Sequence, residues 1–337
     1  MERERSQAIG DDDIEPFITL SEESTDLYAV SYVERISCPD PLEFYRSYVS
    51  QNRPDPVNRG SDAISHWPAL YRWTNDYLRE RMGSEPVTVD VTPNGYGDAV
   101  VDDKYFVKPQ EINVTFGEFL DLHEKRGGGE DEAIYYVQHQ NGNFQSEFQR
   151  LSDDIDDELE WASQAFGASP DVVNFWMGED RSVSSLHKDF YENIYAVVKG
   201  TKTFTLLPPT DLPFLYVDRF IGARYSREDS GKFRIKEDEP REEIPWIPVD
   251  PDSADLEAYP LFRYAHPVQC EVKEGEVLYL PSLWFHKVAQ RGDETGRTIA
   301  INYWYNMQFS GNWCYYRFME KSIEKAKERG YATRGRK

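Results

Sequence analysis

The chain has 337 residues, 61 Asp and Glu against 38 Lys and Arg, a formal net charge of −23 and 14% aromatic residues. Such a charge repels phosphate backbones, which argues against direct nucleic-acid binding, and it attracts cationic partners. The opening MERERSQAIGDDDIE lacks the apolar stretch of a signal peptide, no apolar run approaches a membrane span, and Cys38, Cys270 and Cys314 are too scattered for a disulfide framework or a structural zinc site, so the expectation is a cytoplasmic or nuclear protein without membrane contact.

Residues 1–30 are acidic and polar and are expected to form a flexible arm, with order beginning near Pro39. Residues 31–132 read as an N-terminal α+β cap. Within it PLEFYRSYVSQNRP carries Leu42, Phe44, Tyr45, Tyr48 and Val49 at helical spacing, SHWPALYRWTNDYLRERMG reads as a second helix, VTVDV alternates as a strand does, and TFGEFLDLHEKRGGG returns to helical spacing.

Over residues 133–310 short strands dominate: AIYYVQHQ, VVNFWMG, NIYAVVKG, KTFTLLPP, VQCEVKEGEVLYLP, WFHKVAQ and RTIAINYWYN, separated by turn signals such as KG, EG and RGDETG. This predicts a mainly β domain, an antiparallel sandwich or jelly roll. Residues 210–266, rich in Pro, Asp and Glu, interrupt the pattern as a long insertion, which is expected to be a functional loop or lid. Residues 311–337 read as a C-terminal helix and basic tail, with Tyr315, Phe318, Met319, Ile323 and Ala326 on one packing face or, as the alternative, on a dimer face.

Of the six histidines, His66, His123, His139 and His266 read as surface or hydrogen-bonded residues. His187 differs because Asp189 follows two residues on, and alternate residues of a strand point to one face. His286 follows a buried strand and a proline turn in LYLPSLWFHKV, where a barrel mouth would present it inward. Two imidazoles and one carboxylate on one face of a metal leave the opposite positions open, as in non-haem Fe(II) oxygenases. Lys202, fifteen residues after His187 and on the next strand of what reads as a hairpin, could offer an inward ammonium to the distal carboxylate of a dicarboxylate co-substrate.

The stretches NFWMG, SLHKDFYENIYAVVKGTKTFTLLPP, PWIPVDP, GEVLYLPSLWFHKV and AINYWYN resemble the JmjC class of 2-oxoglutarate oxygenases. So do PLEFYRSYVSQNRP, HWPALYRW, VTPNGYGDAV and YYVQHQ in the N-terminal part, so that the likeness runs from about residue 35 to about residue 308. It implies a double-stranded β-helix core of the cupin or jelly-roll type with flanking N-terminal α+β elements and a C-terminal helix. It also implies Fe(II) held by His187, Asp189 and His286, with O2 as a reactant. The 2-oxoglutarate would be bound through Lys202 with help from Tyr136 and from Ser184, which stands where relatives usually have threonine. Asn193 and Asn302 would lie near the co-substrate's other end, with Asn174 and Trp176 in the cavity wall.

The activity implied is protein lysyl C3-hydroxylation of developmentally regulated GTP-binding proteins of the translation-factor class, with succinate and CO2 as by-products. Histone lysine or arginine demethylation, or histone-tail peptidase activity, is the alternative, and a non-catalytic metal-binding cupin module is the second. A homodimer fits the resemblance.

Overall fold

The computed structural model describes residues 11–29, 31–33, 35–54, 63–125, 133–140 and 142–328; the first ten residues of the expected arm and the basic tail from 329 lie outside them. Helix α1, Asp11–Leu27, occupies most of the segment expected to be a flexible arm. Its order comes from distant contacts that composition does not report. Ile14 is buried, the Ser21 hydroxyl donates to Asp211 at 2.5 Å, and the Ser24 and Thr210 hydroxyls bond at 2.7 Å.

The cap begins with α2, Pro41–Phe44, whose first turn is closed by Asp40, and continues through a π-helical turn over Tyr45–Val49. The second expected helix is two, α3 (Ala69–Arg72) and α4 (Asn75–Met82), because the Thr74 hydroxyl accepts from the Tyr77 N–H and starts a new helix there. Next come β1 (Pro86–Thr92), β2 (Tyr96–Gly97), β3 (Ala99–Val101), β4 (Tyr105–Lys108) and β5 (Gln110–Thr115). A Thr115/Glu118 capping box opens α5, Phe116–Glu124. Strand β6, Ile134–Tyr136, pairs with β1 in the order β5-β1-β6, so this first strand after Ala133 belongs to the cap sheet. Two short helices, α6 (Asn143–Glu147) and α7 (Glu160–Phe166), lead into the barrel.

The barrel starts with β7 (Val172–Gly178), β8 (Val183–Lys188), β9 (Tyr191–Lys199) and β10 (Thr201–Leu207). The insertion supplies β11 (Asp218–Arg227), β12 (Phe233–Glu237) and β13 (Glu243–Trp246). Strands β14 (Val268–Lys273), β15 (Val277–Leu280), β16 (Phe285–Arg291) and β17 (Thr298–Asn306) complete the barrel, and α8 spans Gly311–Glu328. The two barrel sheets have the orders β14-β10-β16-β8-β2 and β15-β9-β17-β7. This is the cupin-like jelly roll expected from the sequence.

Two details differ from the linear reading. Strands β9 and β10 are not hairpin partners: β9 pairs with β15 and β17, and β10 with β14 and β16. Gly200, at φ +74°, makes the corner, and a Cβ there would meet the Arg291 carbonyl oxygen at 2.7 Å. The insertion is also more than a loop. Strand β11 runs parallel to β4 with Ile221 opposite Tyr105, giving a sheet of order β12-β11-β4-β3 that ties insertion to cap. Its partner lies more than a hundred residues away in sequence, out of reach of a local reading.

Apolar clusters hold the layers together. The cap residues Phe44, Trp67, Trp73 and Phe119 pack with Phe175, Ile194 and Ile301 against the outside of the β7/β9 sheet. Residues of α1 and α8 cover the outside of the other sheet through Ile14, Tyr316, Met319 and Ile323 on Leu186, Leu207 and Phe285. Tyr315 and Phe318, placed on the packing face by sequence, are instead 76% and 73% exposed. The barrel interior holds Tyr136, Trp176, Tyr195, Phe204 and Val288, and the functional side chains lie among them.

Candidate active site

His187 lies next to the end of β8 and His286 next to the start of β16, two neighbouring strands in which these residues are direct partners. Asp189 lies just past β8, its carbonyl held by the Leu283 N–H at 3.0 Å. The turn that delivers His286 is fastened by Glu192, which accepts from the Ser282 N–H at 3.1 Å, the Ser282 hydroxyl at 2.6 Å and the Tyr279 hydroxyl at 2.7 Å. One atom from each of His187, Asp189 and His286 lies within 4.8 Å of the others, a spacing that could hold a metal ion.

The tautomers follow from the hydrogen bonds. His187 Nδ1 is 2.6 Å from the Ser185 carbonyl oxygen and His286 Nδ1 is 3.1 Å from that of Trp284. A carbonyl only accepts, so each Nδ1 carries the proton and each Nε2 keeps its lone pair. Those Nε2 atoms lie 4.0 Å and 3.6 Å from Asp189 Oδ2. Burial, reinforced by His187, pushes the His286 imidazole down to about 4, so it is neutral as a ligand must be. Two imidazoles that present Nε2 and one carboxylate are the donor set of a facial-triad Fe(II) site.

Lys202 lies deeper in the barrel and is fully buried. Its ammonium donates to Tyr136 Oη at 2.9 Å and to Gln290 Oε1, and lies 5.2 Å and 5.9 Å from the ring centres of Tyr136 and Tyr195. Burial alone pushes Lys202 down to about 7. A buried cation whose hydrogen-bond partners are neutral could receive a carboxylate such as one end of 2-oxoglutarate would offer. Ser184 hydrogen-bonds Tyr136 on the same side. It faces inward with His187, three residues away, because β8 carries a bulge: His286 opposes His187 while Val288 opposes Ser184.

The polar residues expected at the other end of the co-substrate form a network centred on Asn302. Its Oδ1 accepts from Trp176 Nε1 at 2.7 Å and Asn174 Nδ2 at 3.2 Å, and its Nδ2 donates to Asn193 Oδ1 at 3.1 Å. Trp176, Asn193 and Asn302 line the cavity together with all three triad residues and Ser184. Asn174 does not. It lies behind Asn302 and accepts from the Gly142 N–H at 2.9 Å, so it positions the network.

A larger groove of about 650 Å³ reaches His187 from outside, between α8 and β13, where Leu186, Lys188 and Phe285 line it. These residues alternate with the triad histidines along β8 and β16, so the groove belongs to the outer face of the sheet. The other histidines are engaged elsewhere: His66 with Asp156 at 2.7 Å, His139 with Glu147 at 3.2 Å and His266 with Ser21 at 3.0 Å, while His123 is buried against the Phe119 ring. Gln290 and Glu192, which hold Lys202 and the His286 turn, have no local sequence signal. Their importance comes from partners 88 and 90 residues away.

A profile of the cupin-like domain matches residues 41–311. The chain is 42% identical over 343 residues to JmjC domain-containing protein E of Dictyostelium discoideum, covering 94% of this chain and 95% of that protein. It is 42% identical over 298 residues to the Homo sapiens bifunctional peptidase and (3S)-lysyl hydroxylase JMJD7, covering 88% and 90%. Over 301 residues it is 43% identical to the Arabidopsis thaliana lysine-specific demethylase JMJ32, covering 86% of each. With its triad and jelly roll, the chain belongs to the cupin-like family and, within it, to the JmjC oxygenases.

Proposed function

We propose that this protein is an Fe(II)- and 2-oxoglutarate-dependent protein lysyl hydroxylase. The observation that carries the reading is the pairing, in one barrel, of the His187, Asp189 and His286 donor set with the buried Lys202 ammonium. His187, Asp189 and His286 would hold the iron, which supplies oxidation of an unactivated carbon coupled to decarboxylation of 2-oxoglutarate to succinate. Lys202 would bind the distal carboxylate of 2-oxoglutarate, with Tyr136 and Ser184 as hydroxyl partners. Asn193 and Asn302 would orient the other end, and the apolar interior around Phe204 and Val288 would keep water from the reacting carbon.

The lysine substrate is supported by the name of the Homo sapiens relative at 42% identity. The net charge of −23 draws a cationic side chain, and Trp176, Tyr195 and Trp304 in the cavity wall offer surfaces for its methylene stem. We place that lysine on a GTP-binding protein of the developmentally regulated class.

Demethylation is the second reading, favoured by the Arabidopsis thaliana relative at 43% identity. A peptidase reading has less support in the geometry of the Ser21, His266 and Asp211 cluster. There the buried Ser21 hydroxyl donates to Asp211, so the imidazole does not take its proton. The test is mass spectrometry with formaldehyde detection on lysine peptides of developmentally regulated GTP-binding proteins and on trimethylated histone peptides. One oxygen atom gained on the lysine carbon chain without formaldehyde is expected. Formaldehyde from the histone peptides with the GTPase peptide unmodified would establish the demethylase instead.

A further inference from the structure

Lys202 and Gln290 are direct cross-strand partners on β10 and β16. Antiparallel partners on one face bring their side chains together, and here Gln290 Oε1 accepts from the Lys202 ammonium. The amide has one possible orientation. Gln290 Nε2 donates to the Glu179 carbonyl oxygen at 2.6 Å, and a carbonyl cannot donate in return, so Oε1 must face Lys202. The fit is tight. A Cβ at Gly178 would meet Gln290 Nε2 at 2.7 Å and Tyr136 Cδ2 at 2.6 Å, so the glycine makes room for both partners of the lysine.

Among the described residues, the groups that contact the ammonium are uncharged. Tyr136 comes from β6 and Tyr195 from β9, both phenols raised by burial, Gln290 comes from β16, and Val272 is the partner on β14. A glutamate in place of Gln290 would pair with the same lysine and cancel its charge, and it would give up the bond to the Glu179 carbonyl oxygen. We propose that Gln290 is a positioning residue of the co-substrate site, which fixes the Lys202 ammonium by a neutral acceptor so that its countercharge must come from the carboxylate of 2-oxoglutarate. The inference rests on the reading of Lys202 given above and extends it to a residue that does not touch the co-substrate. With burial holding Lys202 down to about 7, carboxylate binding draws a proton onto the lysine above that pH, and the neutral acceptor preserves this coupling.

The test is calorimetric titration of 2-oxoglutarate into the full chain loaded with Mn(II), a redox-inert stand-in for iron, from pH 6 to pH 9 for wild type, Gln290→Glu, Gln290→Met and Lys202→Ala. Wild-type affinity is expected to fall as pH rises past about 7, with proton uptake shown by two buffers of different ionisation enthalpy. Gln290→Glu is expected to bind on the order of 10 to 100 times more weakly at pH 7, the scale of breaking or cancelling a buried charge pair, and to lose the pH slope. Gln290→Met is expected to keep the slope and move it to lower pH. A merely structural role would weaken binding in both variants without moving the pH at which it falls, and that result overturns the inference, as does wild-type affinity in Gln290→Glu. Lys202→Ala separates the two levels. Weak binding there with unaltered Gln290 variants defeats the Gln290 inference alone, whereas wild-type binding there defeats the Lys202 reading beneath it.

Discussion

At the triad, His187 and Asp189 come from a strand end and the residue beyond it and keep 19% and 23% of their side chains exposed, and the two histidines are oriented by carbonyls two residues back along the chain. At Lys202 exposure is 0%, and every hydrogen-bond partner arrives from another strand. The difference is between ligands oriented by their own stretches of chain near a mouth and a lysine whose every partner comes from another strand. It predicts different responses to substitution. Damage at the triad should be chemical and confined, while a change at Lys202 should alter binding and stability together, in opposite directions.

The largest effect is expected for His187→Ala or Asp189→Ala. Losing one of three donors leaves too few to hold Fe(II), so metal content and succinate formation should drop below detection while circular dichroism and melting stay as in wild type. Wild-type succinate production in either variant would remove the triad from the mechanism.

Lys202→Met should retain iron and lose 2-oxoglutarate binding by about 2–5 kcal/mol, tens to thousands of fold. Its stability should move the other way. Burial lowers the lysine from its ordinary value to about 7 in the folded chain, so the unfolded chain binds more protons from about pH 7 upward and wild-type stability rises with pH across that window. Below about 7 the cost of the buried ammonium is present in full, so the melting temperature of the co-substrate-free variant should exceed wild type most there, with the gap closing toward alkaline pH. A gap that widened with pH would contradict the uncompensated charge.

The smallest effect should come from Ser21→Ala on α1. It removes one donor to the buried Asp211, which keeps the His266 N–H at 2.6 Å, and should cost about 1–3 kcal/mol of stability by denaturant titration with 2-oxoglutarate turnover unchanged. A loss of turnover at a temperature where the variant is folded would show that α1 reaches the catalytic chamber.

Much of the barrel and the triad was legible because the signals are local. Strand alternation, KG and EG corners and the two-residue spacing of His187 and Asp189 require no knowledge of partners. Lys202 was legible through its place in the JmjC motif, and its burial agrees with an inward reading. The same local logic misjudged α1, whose acidic composition says nothing of Asp211, and the insertion, whose β11 finds its parallel partner in the cap. It also made hairpin partners of β9 and β10, since sequence shows the turn at Gly200 but not which sheet receives each strand.

Ser184 marks the boundary most clearly. Strict alternation sends Ser184 and His187 to opposite faces, and only the bulge in β8 against β16 brings both inward. The sequence by itself determined most of the barrel strands, which residues can ligate a metal and which lysine can enter the barrel, because those depend on side-chain chemistry and on a period of two. Tertiary structure alone decided that Gln290 stands opposite Lys202, that Asn174 supports Asn302 from behind and that Glu192 fastens the turn before His286. Those pairings depend on strand register, which is set by the packing of two whole sheets and by hydrogen bonds closed across long stretches of chain.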